Sequence, residues 1–131
     1  MSRRDPTPLE RDPVLTAIAA LMIIFGIAEV AAGFRHAIFG IHPTHIPVGT
    51  CLGAGMGVLY LVAGTLVFTT KKPAAALALC LLAVMILGHI AMVVTDLYPT
   101  DSVSQLFVIV LGSSIACACF VVVAVKWDAF V

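Results

Sequence analysis

The chain has 131 residues, 62% of them apolar and only 11% charged, with seven bases balancing seven acids. A mean hydropathy of +1.16 excludes a water-soluble domain of this size, which could not hide so much apolar surface. A formal net charge of zero argues against nucleic acid as a partner.

Residues 1–13 are polar and hold three Pro, three Arg and three acidic residues, which reads as a short cytoplasmic tail without its own fold. The start Ser2-Arg3-Arg4-Asp5 has paired arginines, but Pro6 and Pro8 and the lack of a following apolar residue do not suit a twin-arginine signal. Asp12 followed by Pro13 is a suitable helix start, a capping side chain and then Pro at the first helical position.

Four apolar stretches follow, at Val14–Phe34, Val48–Thr69, Ala74–Leu97 and Ser104–Val125. Each reaches the ~20 residues needed to cross a bilayer as a helix. The first is longer than a signal-peptide core and carries Glu29, so it reads as a retained helix. The expected fold is therefore all-α: an integral membrane bundle of four transmembrane helices, antiparallel and up-down, occupying residues 14–131.

Charge placement orients it. Arg3, Arg4 and Arg11 precede the first run, Lys71 and Lys72 separate the second from the third, and Lys126 follows the fourth. Only Arg35 falls on the other side. This positive-inside bias predicts both termini in the cytoplasm of a multi-pass cell-membrane protein, with Trp127 and Tyr98 at the two interfaces.

The segment Arg35–Thr50 reads as the longest connection, lying against the membrane surface through Ala37, Ile38, Phe39 and Ile41. It carries His36, His42 and His45, three of the four histidines in the chain. Imidazole is a common ligand of zinc and copper, and Asp96 and Asp101 would lie on the same side. A metal ion is thus one reading of these histidines. Exposed interfacial side chains are the plainer one, because Pro43 denies the H-x-x-H pair a helical spacing.

Glu29 and His89 are the ionisable groups inside the spans. Such a group costs at least ~2.5 kcal/mol to insert at a helix centre, so it turns to the bundle interior and often marks function. At 1.5 Å per residue, Glu29 stands ~7.5 Å below the outer end of its run and His89 ~9 Å below the polar break at Thr95-Asp96. The two match in depth and could pair if the first and third helices meet. A hydrogen bond that fixes helix rotation and a proton relay or ligand site are both open readings. Asp96, seven residues beyond His89, shares its face and either lines a way in or caps the helix in water.

Gly49, Gly53, Gly57 and Gly64 form a small-residue ridge on the second helix, suited to close packing against another backbone. A small outward-open cavity rimmed by Glu29, His89 and Ser113 is the sharper alternative. Cys51, Cys80, Cys117 and Cys119 lie within apolar runs and read as packing residues. Tyr60 and Met22, Met56, Met85 and Met92 read as core or lipid-facing filler. There is no Walker loop, dinucleotide glycine fingerprint or nucleophile elbow, so enzyme classes built on those motifs find no support.

The glycine-ridged hairpins and the segment Leu97-Tyr98-Pro99-Thr100-Asp101 resemble those of small four-helix membrane proteins of prokaryotes, and the layout is similar to DoxX-type proteins. That layout is shared by many unrelated families and implies no functional residue here. The leading expectation is a non-enzymatic accessory subunit or self-associating bundle, a homo-oligomer or part of a larger membrane complex, with the lipid bilayer as its surroundings and no cofactor. The alternative is a small proton-coupled carrier or channel using Glu29 and His89. A third reading, a membrane metal-binding or redox protein, rests on the external histidines.

Overall fold

The computed structural model describes residues 11–39, 47–96 and 103–131, with residues 34–39, 47–50 and 104–105 described by their backbone alone. Four helices follow in order: α1 (Pro13–Phe39), α2 (Pro47–Phe68), α3 (Lys72–Val94) and α4 (Val103–Val125), then a 3-10 turn at Trp127–Ala129. All four are long and apolar enough to cross a membrane, and a third or less of each candidate span is buried inside the protein.

Local chemistry sets the helix ends. The Asp12 carboxylate accepts the Val14 amide at 2.9 Å, and its carbonyl accepts the Thr16 amide at 3.0 Å, so Asp12 caps α1. At the end of α2, Thr70 takes a left-handed conformation with φ 58° and turns the chain within three residues. Pro73 then enters at the start of α3, where its missing amide proton is no loss. α3 stops at Val94, three residues before the sequence bound. There the Thr95 amide and hydroxyl both donate to the Ala91 carbonyl, and Asp96 adopts a left-handed φ of 51°. Asp tolerates that region better than most residues.

α1 runs five residues beyond its sequence bound and takes in Arg35 and His36. No Pro or Gly interrupts Phe34–Phe39, so nothing in that stretch breaks the helix before Gly40. The connection to α2 is correspondingly short, residues 40–46.

α1 and α2 make the closest pair in the molecule, and glycine is the reason. A Cβ on Gly26 would stand 2.7 Å from the Gly57 carbonyl oxygen, and one on Gly57 would stand 2.8 Å from the Gly26 carbonyl oxygen. Along the same seam Gly64 meets Ala19, Met22 and Ile23, while Gly33 meets Ala54. Residue numbers fall on one helix as they rise on the other, so the pair is antiparallel. α2 packs next on α3 and α3 on α4, whereas α1 and α4 meet over a short stretch. Between them lies a core of small and flexible side chains, including Met22, Ala63, Ala78, Leu82, Met85, Ala116 and Cys119. All four cysteines are free.

The ends of the bundle differ in charge. At the end where α1 and α3 begin, Lys126 Nζ lies 2.8 Å from Asp12 Oδ2, and the Arg11 guanidinium stands 4.7 Å over the Phe68 ring. That Lys126 contact, with the Val14 amide, holds the Asp12 carboxyl below its ordinary value. The C-terminal segment closes the same end. Phe130 is buried, the Lys72 amide donates to the Val131 carbonyl at 2.9 Å, and the Val131 amide donates to the Thr70 carbonyl at 3.0 Å.

The seam yields a direct test. Gly57→Val must push two backbones apart and should lower stability by about 1–3 kcal/mol, the usual range for overpacking. Gly53→Ala should leave stability equal or raise it by up to about 1 kcal/mol, because among the described residues nothing stands within 4 Å of where its Cβ would sit and alanine is the better helix former. Thermal unfolding in detergent measures both. A stable Gly57→Val protein beside a weakened Gly53→Ala protein would refute the seam.

Candidate functional site

The four helices bring one polar group each to a common point in the interior. Glu29 lies ~24 Å along α1 from Pro13, and His89 ~25 Å along α3 from Lys72, at 1.5 Å per residue. Gly112 lies ~20 Å back along α4 from Val125 by the same rise. The site thus stands away from the basic end, toward the end that carries Asp96.

Gly112 is the meeting place. A Cβ built on it would lie 3.2 Å from His89 Nε2 and 3.6 Å from Glu29 Oε1. From α2, the Tyr60 hydroxyl donates to the Gly112 carbonyl at 2.8 Å, a buried bond that ties α2 to α4 across the bundle. Tyr60 is fully buried and meets Phe25 of α1 edge to face, with centroids 5.4 Å apart. On the neighbouring turn Met56 Cε fills the place where a Gly88 side chain would stand.

The hydrogen bonds define what each group can still do. His89 Nδ1 stands 2.8 Å from the Met85 carbonyl. A carbonyl can only accept, so Nδ1 carries a proton. In the neutral ring, Nε2 then carries the lone pair, and it is turned toward Gly112. Glu29 Oε2 is buried and has no hydrogen-bond partner among the described residues. Glu29 and His89 do not pair directly: among the described residues the ion pair is that of Lys126 with Asp12, at the other end of the helices. A buried polar atom without a partner is expensive, about 1–3 kcal/mol, and singles out this carboxyl.

The other candidate residues fall as follows. Ser113 is half-buried beside Gly112, and the adjacent Ser114 turns outward with its hydroxyl bonded to the Val110 carbonyl. Asp96 is exposed in the left-handed cap of α3. Gly57 and Gly64 face α1, Gly53 meets nothing within 4 Å among the described residues, and Gly49 stands in the first turn of α2 with its surroundings outside the described residues. His36 belongs to α1, but its side chain, with His42, His45 and Asp101, lies outside the described residues. Among the described residues no three His, Cys, Asp or Glu side chains are placed to hold a metal ion.

Tyr60, core or lipid-facing filler by its sequence alone, is instead a buried polar member of the site. The available signal was its hydroxyl, since a phenol deep in an apolar helix needs an acceptor and so points to a polar contact. No family model, curated protein or solved structure matches the chain.

Proposed function

We propose that the chain is an integral protein of the cell membrane, crossing the bilayer four times with both ends in the cytoplasm, and that it works as a small proton-coupled carrier or channel. The convergence of Glu29 and His89 over Gly112 carries this reading. Two groups that can each take up or release a proton are held at one depth, inside a bundle whose outer faces are apolar. Ile24, Leu87 and Phe107, each about two-thirds exposed, belong in hydrocarbon. A carboxyl with a buried oxygen that no described residue satisfies is kept where it performs work, as on proton and ion pathways.

The orientation rests on charge. Arg11, Lys71, Lys72 and Lys126 share one end of the bundle, and Arg3 and Arg4 extend the basic sequence beyond it. Short connections obey this bias best. Single cysteines at Thr69 and Thr95, exposed at opposite ends, test it in a background lacking the native four. In intact cells a membrane-impermeant thiol reagent should label Thr95→Cys and spare Thr69→Cys. The reverse pattern would overturn the assignment.

An accessory subunit or self-associating bundle is the second reading. It draws on the short seam between α1 and α4 and on the groove that Val103, Leu106, Phe107 and Val110 line on α4. It comes second because α1 occupies the Gly57 and Gly64 surface that another copy would need.

Liposome flux separates the two. Reconstituted wild-type protein should move protons, alone or with a small solute, and both Glu29→Gln and His89→Ala should lose that flux. No flux from the wild type, or equal flux from all three, would leave the subunit reading in its place.

A further inference from the structure

We propose that Tyr60 is a positioning residue of the Glu29–His89 site: its hydroxyl holds the α4 backbone at Gly112 in place against those two side chains. The functional half of this claim rests on the carrier reading and adds a residue to it. Three observations lead to it.

The first is where the phenol proton goes. Tyr60 gives it to the Gly112 carbonyl at 2.8 Å, so the residue acts through α4. By the regular helix pattern that carbonyl also receives the Ala116 amide one turn on, and a carbonyl oxygen has two lone pairs to serve both. The tyrosine bond is thus additional to the helix ladder. Its loss leaves α4 a helix and removes a tether.

The second is how little else holds α4 at this level. From Val103 to Leu111, Ile109 is the buried residue among those described, while Leu106, Phe107, Val108 and Val110 are exposed. Toward the basic end Ala116, Cys119 and Val123 are all buried. α1 and α4 meet over a short stretch. Gly112 therefore stands at the boundary between a packed half of α4 and a loosely packed one, and the Tyr60 bond falls on that boundary.

The third is that Tyr60 is itself fixed. Its ring is fully buried and meets Phe25 of α1 edge to face. It follows by three residues Gly57, which the seam locks against Gly26, and Glu29 follows Gly26 by three. The seam thus sets Glu29 and Tyr60 together, and the hydroxyl carries that placement across to α4. A side chain at Gly112 would be crowded by His89 Nε2 at 3.2 Å and would meet Glu29 Oε1 at 3.6 Å, so both groups stand close to bare α4 backbone. A shift of α4 at Gly112 changes the surface that both of them meet.

The test uses the full chain in lipid bilayers. Gly112–Ser113 is the single Gly-Ser pair in the sequence, so carbonyl-13C glycine with nitrogen-15 serine isolates the Gly112 carbonyl in solid-state NMR. In the wild type that carbonyl should couple to the ring Cζ of labelled tyrosine, and absence of the coupling overturns the proposal whether or not any variant folds. Tyr60→Phe, which keeps the ring and its contact with Phe25, should move the Gly112 carbonyl signal, weaken the coupling between the Glu29 carboxyl and His89 Nε2, and lose most of the proton flux in liposomes. Replacement of Tyr60 by 4-aminophenylalanine, which keeps a donor at the same place, should restore all three. Val67→Ala controls for lost stability, because Val67 is buried ~10 Å along α2 from Tyr60 toward the basic end, and it should keep the coupling and the flux. An unchanged Gly112 signal and Glu29–His89 coupling in folded Tyr60→Phe overturns the proposal, as does equal loss in Val67→Ala. If the wild type moves no protons the carrier reading fails, and the NMR couplings still decide whether Tyr60 positions the site.

Discussion

Gly26 and Gly57 hold α1 and α2 backbone against backbone, each carbonyl filling the space the other residue's side chain would need. This contact fixes how both helices are rotated. Three residues further on, each helix presents a polar group on the adjoining strip of its surface: Glu29 after Gly26 and Tyr60 after Gly57. With α1 turned otherwise, Glu29 would face the apolar exterior of the bundle. With α2 turned otherwise, the Tyr60 hydroxyl would lose the Gly112 carbonyl. The same stripe continues through Gly64 and Gly33, so the rotation is enforced along much of the seam.

The other two helices complete the interior around that pair. α3 contributes His89, whose ring is fixed by the carbonyl one turn back in its own helix. α4 contributes no side chain at the central point. Its part is Gly112, whose carbonyl accepts the tyrosine hydrogen bond and whose missing side chain lets the histidine and the carboxyl approach the α4 backbone closely. Three helices thus carry polar side chains to a place where the fourth presents bare backbone. Within apolar surroundings such bonds have no water competing for them, so each fixes geometry as well as adding energy.

Much of this was legible in the sequence. Four apolar runs divided by short polar segments define the helices, because length and hydropathy alone decide whether a helix can cross a bilayer. The common depth of Glu29 and His89 followed from counting residues back from the helix ends. What counting could not supply is rotation. It left open which helix faces the glycine ridge of α2 and gave Tyr60 no partner, since both depend on contacts between segments far apart in the chain. Gly53 belongs to the same four-residue spacing as Gly57 yet meets nothing within 4 Å among the described residues, because one helix surface carries more glycines than a single seam uses. The ends of α1 and α3 moved for local reasons: nothing breaks the first before Phe39, while Thr95 and Asp96 stop the second early.

The two ends of the bundle have separate tasks. The basic end is closed by Asp12 with Lys126, Arg11 over Phe68, the buried Phe130, and Val131 bonded to Thr70 and Lys72, contacts that anchor the start of α1 and the C-terminal segment. The opposite half holds the polar cluster. There Glu29 and His89 converge on Gly112, and a distance measurement in bilayers tests this most directly. With the glutamate side-chain carboxyl labelled in carbon-13 and histidine in nitrogen-15, dipolar recoupling should detect a coupling between Glu29 and His89 Nε2 that vanishes in His89→Ala. A Glu29 carboxyl with no coupling to His89 in the wild-type protein would contradict it.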